Sequence, residues 1–315
     1  MFAPVCEFSS VRLFIALCTL LKWPSVALDF ANAFCQTHFP KLMEAVYLHP
    51  PRGFYHDIRS HSLLLLLKSM YGLREAPRLW FENLFGELLS PELGFTQSKN
   101  DPCLLFRHDM IIIVYVDDVG VGAQREQLIG DLVNHLLKKG FDLEREGTFQ
   151  DYLGMSFNPL PNGAIHMTQS GLIKKIIKAT GMESCNPNKV PSLKTCLGKD
   201  LDGPPMNDKF NYRSIVGMLL YLSGNTRPDI TFAVSQVARF TYAPKKSHAT
   251  ALKMIVRYLA ATQDKGIIVP AFNGDLILRC YVDADFAEDP TMKNTTGGIA
   301  FLKPHLWGSP LDLAA

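Results

Sequence analysis

Apolar positions recur at helical spacing through residues 9–22 and predict an amphipathic helix that begins near Ser9 or Ser10. SVALDFANAF then opens as a short apolar strand and runs into a turn or helix at Asn32. The double proline of VYLHPPRGF forces an extended or turning path, and the leucines of HSLLLLLK read as a strand. From Pro77 a helix is predicted, with Leu79, Phe81, Leu84, Phe85 and Leu88 at mostly helical spacing. IIIVYVDDVGVGA is β-branched and apolar on both sides of two acids, the pattern of a hairpin whose tight turn carries both acids at an exposed tip. REQLIGDLVNHLLKKG is a further amphipathic helix, closed by Gly140. Strands and helices intermix, so the first half is expected to be α+β.

Beyond residue 185 the texture changes. CNPNKVPSLKTCLGKDLDGPPMND has the Pro, Gly, Asn and Asp content of a linker or long loop, which places a domain boundary at residues 185–204. Three helical patterns follow over residues 205–265: YRSIVGMLLYLSG, PDITFAVSQVARF opened by Pro228, and SHATALKMIVRYLAAT capped by Ser247. LILRCYVDADFAED and GGIAFL suggest two strands of a last unit over residues 266–315.

Composition changes this picture little. The 315 residues are 47% hydrophobic and 20% charged, which excludes a disordered chain. Lys and Arg number 32 against 30 Asp and Glu, so any nucleic-acid surface must come from local clustering. The seven cysteines are scattered and never form C-x-x-C, against both a disulfide framework and a zinc knuckle. Arg12 followed by LFIALCTLL imitates a secretory signal, but Glu7 precedes it, and Lys22 and Trp23 stand where a small-residue cleavage site belongs. No apolar run approaches the roughly 18 residues that span a bilayer, so no membrane partner is expected.

The acids Asp117 and Asp118 change the picture most. Adjacent carboxylates in a segment built for burial persist by neutralising, pairing or binding a cation. A polar turn would explain them alone. A third acid, Asp29, ends its own apolar run of Val26, Ala27 and Leu28, so two paired strand ends would gather three carboxylates. That oxygen-only set favours Mg²⁺ or Mn²⁺ over zinc. Two such ions about 3.5–4 Å apart support phosphoryl or nucleotidyl transfer, and spacing leaves polymerase and nuclease both open.

Tyr115-Val116-Asp117-Asp118 between apolar strands resembles the catalytic hairpin of reverse transcriptases. LDFANAF is similar to their first palm motif, and KSMYGLREAPRLW to the K-S-L-Y-G-L-K-Q-A-P-R-x-W signature of copia-type retrotransposon polyproteins. NDPCLLFR, YLGMSF, GLIKKIIKATGM, YRSIVGMLLYLSGNTRPDI and YVDADFA follow in that family's order, so the resemblance covers nearly the whole chain. It implies an RNA-directed DNA polymerase with palm and partial fingers at residues 1–184, a helical thumb at 205–265 and a truncated RNase H-like segment. Its partners would be RNA template, DNA primer, RNA–DNA hybrid, deoxynucleotides and the other polyprotein portions. Two Mg²⁺ ions, or Mn²⁺, would be the cofactor. The location would be cytoplasmic, in a virus-like particle, or nuclear.

By the same resemblance, Asp29, Asp117 and Asp118 are the catalytic metal ligands, with the Phe30 carbonyl a further oxygen. Phe34, five positions after Asp29, takes the place of the aromatic gate against a ribose 2′-hydroxyl. Tyr71, Gly72, Arg74, Glu75 and Arg78 would line the template and nucleotide pocket beside Tyr115 and Val116. The family usually has Gln where this chain has Glu75, which adds repulsion near phosphate unless Arg74 or Arg78 offsets it. Arg107, Lys174 and Lys175 read as weaker contacts or solvated charges. Lys245, Lys246, His248, Lys253 and Arg257 would place positive charge on the thumb for sequence-independent phosphate contacts. Asp283 in YVDADFA matches the first RNase H carboxylate. PHLWGSPLDLAA departs from the family after it, and the resemblance implies a basic fingers segment upstream of FAPV, the boundary on which the sequence begins at Met1. The alternative implied is an impaired remnant that only binds RNA or hybrid.

Overall fold

The computed structural model describes residues 3–39, 45–51, 53, 62–192, 196–271, 276–285 and 295–304. Arg52 and Phe54 of the double-proline stretch, and residues 305–315, lie outside them. The chain divides into two units, Met1–Leu153 and Gly154–Ala315.

In the first unit, helix α1 (Phe8–Leu21) leads into strand β1 (Ser25–Phe30) and a 3₁₀ turn at Ala33–Gln36. Short strands β2 (Tyr47–Leu48) and β3 (Leu64–Leu65) pair with one another. Helix α2 (Ala76–Leu88) is followed by β4 (Thr96–Gln97), β5 (Leu104–Arg107), β6 (Met110–Tyr115) and β7 (Asp118–Ala123). Helix α3 (Glu126–Lys138), β8 (Leu143–Thr148) and β9 (Asp151–Tyr152) complete the unit. Six strands form one antiparallel sheet in the order β4-β5-β6-β7-β1-β8. β1 is thus inserted between β7 and β8, far from its neighbours in sequence.

Side chains alternate across this sheet. On one face Val26, Leu28 and Phe30 of β1, Ile112 and Val114 of β6, and Val119 and Val121 of β7 form a single core with α2 and α3. The other face of β7 carries Gly120 and Gly122, and their bareness lets α1 approach. A Cβ at Gly122 would overlap the Cys18 sulfur and lie 3.3 Å from Phe14, and one at Gly120 would lie 2.8 Å from Phe149. Gly140 ends α3 at φ +90°, a conformation that glycine adopts without penalty. The leucine run forms only a two-residue strand, and Leu63, Leu64, Leu65 and Leu67 are exposed.

The second unit opens with β10 (Met155–Pro159) and β11 (Ile165–Thr168), which pair antiparallel, and β12 (Ile267–Val269) adds to β11. Its helices are α4 (Ser170–Ala179), α5 (Tyr212–Asn225), α6 (Thr231–Ala238) and α7 (Lys246–Ala261). Ile173 and Ile176 of α4 share a core with Leu219, Val234, Leu252 and Ile255 of the three later helices. The stretch at 185–204 therefore runs inside this unit, because the helix before it needs the helices after it to bury its apolar stripe. Strands β13 (Leu276–Asp285) and β14 (Thr295–Pro304) form a separate hairpin. Among the described residues no helix is long and apolar enough to cross a membrane.

Two helix starts differ from expectation. Pro228 opens a 3₁₀ turn, Pro228–Ile230, ahead of α6. Ser247 does not cap α7, which begins one residue earlier; its hydroxyl donates to Asp200, while the Lys245 N–H donates to the His248 ring at 3.0 Å. Arg227, only 1% exposed, forks onto Asp229 at 2.9 and 2.8 Å and donates to the Thr262 carbonyl at 2.8 Å. Burial pushes the Asp229 carboxyl up, but hydrogen bonds from Arg227 and Tyr258 and the Arg227 charge outweigh it and hold it below the usual range.

Two outcomes follow for urea denaturation. Gly122→Ala is expected to destabilise by about 1–3 kcal/mol through overpacking, with partial recovery on adding Cys18→Ala. Asp229→Asn is expected to cost about 2 kcal/mol, less than the roughly 3–5 kcal/mol of a fully buried pair, because 37% of the Asp229 side chain is exposed. That contribution is present above the ordinary carboxylate range and lost as pH falls through the depressed native value.

Candidate active site

Tyr115 and Asp118 form the last pair of the β6–β7 ladder, which leaves Val116 and Asp117 as a two-residue turn. The expected turn carried both acids; instead Asp118 is the first residue of β7, and both acids are half-buried. Val116 adopts φ +59°, the left-handed value that a tight hairpin requires at its first central position. A β-branched residue there costs on the order of 1–3 kcal/mol and persists when its surroundings enforce it. The indole N–H of Trp80 donates to the Val116 carbonyl at 2.7 Å, and the Tyr152 hydroxyl donates to the Asp118 carbonyl at 3.1 Å.

Asp29 lies directly across from Asp118 in the β1–β7 register. On its other side Asp29 faces Glu144 of β8. One row across four strands therefore reads Tyr115, Asp118, Asp29, Glu144, with Asp117 at the adjoining turn. Facing positions have Cβ atoms about 4.5–5.5 Å apart, and like charges there repel. Burial first, then the charges of Asp117, Asp29 and Glu146, push the Asp118 carboxyl up to about 6. An oxygen-only set of like-charged acids is a donor set that a hard divalent cation fits, because the cation removes the repulsion. The aspartates are not drawn tightly together: among the described residues the group with all ligand atoms within 4.8 Å is Glu87, Glu92 and His135.

Phe34 sits in the 3₁₀ turn after β1, its ring 4.7 Å from that of Tyr71. Burial, then the charges of Asp117, Cys35 and Asp29, raise the Tyr71 hydroxyl, which shows Tyr71 beside the acids. Phe30 is a core residue by its side chain, edge-on to Trp80 at 5.1 Å. Gly72 takes φ +94°, so a side chain there would be strained. Arg74 and Glu75 are exposed just before α2. Arg78 pairs with Glu82 at 2.6 Å, one turn along its own helix, and not with Glu75.

The cations expected to meet nucleic acid divide sharply. Arg107 is a structural residue: it bonds Asp109 at 2.6 Å and the Leu93 carbonyl at 2.8 Å, and lies over the Phe95 ring. Lys174 and Lys175 are exposed. On α7, Lys253 pairs with Asp208 and Arg257 donates to the Asn186 carbonyl at 2.6 Å, while Lys245, just before the helix, donates to the Gly203 carbonyl at 2.9 Å. His248 is buried and stacked on Phe240. Its Nδ1 accepts the Lys245 N–H, so its proton sits on Nε2 toward the Gly198 carbonyl at 2.9 Å and the ring is neutral. The positive face expected of this helix is therefore largely spent on internal bonds; of the five, Lys246 is exposed. Asp283 is exposed on β13 opposite Gly297 and accepts from the Ala284 N–H.

Sequence reading missed Trp80 and Tyr152, although both lie in quoted motifs, since each looks like an ordinary core aromatic. It also missed the knot of Glu87, Glu92, His135 and Lys139, in which Lys139 bridges the two glutamates at 3.2 and 3.0 Å. Burial opposes ionisation of Glu87, and hydrogen bonds from His135 and Lys139 overcome it.

The family model for reverse transcriptase (RNA-dependent DNA polymerase) matches residues 1–194. Over 309 residues the chain is 34% identical to the retrovirus-related Pol polyprotein from transposon RE1 of Arabidopsis thaliana, covering 96% of this chain and 20% of that protein. It is 32% identical to the corresponding polyprotein from transposon TNT 1-94 of Nicotiana tabacum, over 95% of this chain and 23% of that one. A putative transposon Ty5-1 protein of Saccharomyces cerevisiae is 30% identical over 84% of this chain and 87% of its own length. The chain belongs to the reverse transcriptase family, as carried in copia-type Pol polyproteins, and spans about a fifth of the length of the RE1 relative.

In metal-free protein the Asp118 carboxyl is expected to titrate near pH 6, followed by carbon-13 NMR. Because its native value lies above the unfolded one, this group stabilises the fold relatively as pH falls from about 6 toward 4 and destabilises it above that window. Asp29→Asn should move the titration downward, and so should added Mg²⁺.

Proposed function

We propose that this chain is the RNA-directed DNA polymerase domain of a copia-type retrotransposon, joining deoxynucleotides to a primer 3′-hydroxyl on an RNA template. The observation that carries the reading is the facing of Asp29 and Asp118 across β1 and β7, with Asp117 at the adjoining turn. These acids would hold two divalent ions, Mg²⁺ or Mn²⁺. Bound there, the ions supply neutralisation of phosphate charge and activation of the attacking hydroxyl.

The chain's own residues would do the rest. Asp118, with its carboxyl near 6, is mostly ionised at neutral pH and ready to act as a ligand. Phe34, backed by the Tyr71 ring, would crowd a ribose 2′-hydroxyl and so select deoxynucleotides. Arg74 would meet triphosphate charge, and Gly72 would let backbone approach the template. The first 184 residues would serve as palm and partial fingers, the helices at 205–265 as a thumb, and β13 with Asp283 as the start of an RNase H-like unit. Such a domain would work inside the cell, in cytoplasm or nucleus, beside the other polyprotein portions.

A second reading, a remnant that binds RNA or RNA–DNA hybrid without copying, is favoured by two observations. Glu75 lacks an ion pair with Arg78, and most cations of α7 are engaged internally. Primer extension on an RNA template with Mg²⁺ or Mn²⁺ separates the two. Incorporation that falls at least about 100-fold in Asp117→Asn, roughly 3 kcal/mol of barrier, is expected of the enzyme. Hybrid binding without incorporation would support the remnant. Phe34→Ala should raise ribonucleotide use relative to deoxynucleotide use by about tenfold or more, each tenfold being roughly 1.4 kcal/mol of discrimination.

A further inference from the structure

The turn that carries Asp117 is gripped by two side chains that belong to neither of its strands. Trp80, on α2, holds the Val116 carbonyl at 2.7 Å, and Tyr152, on β9, holds the Asp118 carbonyl at 3.1 Å. The two acceptors lie on either side of Asp117. Both donors are buried, at 2% and 4% exposure, and their acceptors lie on half-buried residues, so the donor side of each bond is shielded from water. Each ring is itself wedged: Trp80 against Phe30 and Phe141 at 5.1 and 6.1 Å, Tyr152 against Phe149 at 5.0 Å. Phe149 in turn rests on Phe14 of α1, at 5.1 Å. The grip is thus anchored in the packing on both faces of the sheet.

We propose that Trp80 and Tyr152 are positioning residues that clamp the carbonyls of Val116 and Asp118, the residues on either side of Asp117, enforce the left-handed Val116, and so hold the turn acid Asp117 and the strand acid Asp118 in fixed orientation beside Asp29. A peptide unit is planar, so holding the Val116 carbonyl orients the 116–117 unit and holding the Asp118 carbonyl orients the 118–119 unit, one on each side of the Asp117–Asp118 pair. Without the clamp, Val116 is free to leave a conformation that its branched side chain disfavours. The two acids would then sample directions that do not converge with Asp29. The effect belongs to turnover more than to nucleotide affinity, since neither donor belongs to the Phe34–Tyr71 pair proposed to meet the sugar. The catalytic consequence rests on the polymerase reading; the clamp itself does not.

Trp80→Phe and Tyr152→Phe each delete one donor and keep an aromatic ring. In the full chain, amide hydrogen exchange across residues 115–119 is expected to speed up about tenfold in either variant, the scale of one lost buried hydrogen bond. Exchange in α3 and α5 should stay at the parent rate. In primer extension, kcat should fall about 10- to 100-fold while KM for the deoxynucleotide changes less than about threefold. Unchanged exchange at 115–119, or uniform acceleration throughout the first unit, would overturn the clamp. A parent chain that extends no primer, with local exchange still accelerated in the variants, sinks the polymerase reading and leaves the clamp standing. An active parent with variants of parental kcat does the reverse for the proposed catalytic role. Should Trp80→Phe fail to fold, Tyr152→Phe alone decides, because removing one hydroxyl leaves its ring packing intact.

Discussion

Register governs this molecule. β1 lies between β7 and β8, and the same pairing that sets Leu28 opposite Val119 in the core sets Asp29 opposite Asp118 on the other face. The acids repel, so nothing in their own chemistry brings them together without a cation. Burial of Val26, Leu28 and Phe30 on one side of the strand fixes the positions of the polar residues on the other. A slip of one residue would send that apolar set to the wrong face, and the cost of exposing it far exceeds the repulsion that it overcomes. Hydrophobic packing here holds a high-energy polar arrangement in place.

The opposite face needs a different device. Gly120 and Gly122 remove two side chains from the strand that begins with Asp118, and α1 settles into the space with Cys18 and Phe14. The alternating V-G-V-G pattern thus serves two surfaces at once: the valines enter the α2–α3 core, and the glycines admit a helix. Farther along, the knot of His135 and Lys139 with Glu87 and Glu92 joins the ends of α2 and α3. In the second unit, the buried Arg227 and the partly exposed Asp229 make a comparable tie to Thr262 and Tyr258.

Much of this was legible because it depends on local periodicity. The helix at α1, the apolar strand that carries Asp29, the apolar arms around the two acids and the closure of α3 at Gly140 all follow from spacing and residue type. What escaped depends on partners distant in the chain. Nothing around Lys253 or Arg257 announces that Asp208 and Asn186 will engage them, so a row of cations reads as a nucleic-acid grip when most of it is internal. His248 reads as charge, yet a backbone donor three residues before it fixes a neutral ring. Trp80 and Tyr152 read as core because burial is their main property, and their polar atoms matter only once Val116 and Asp118 are in place. The turn falls at Val116–Asp117 and not over both acids, because sequence does not show that Val116 accepts a left-handed backbone.

That left-handed valine bears on how copies of such a sequence decay. A two-residue connection has no slack: a single inserted or deleted codon between Tyr115 and Asp118 alters the hand of the bend or the strand register, while leaving both hydrophobic arms intact. A lineage drifting without selection can therefore keep a sequence recognisable across nearly its whole length, yet lose through one in-frame lesion the two-residue turn that sets Asp117 beside the Asp29–Asp118 pair.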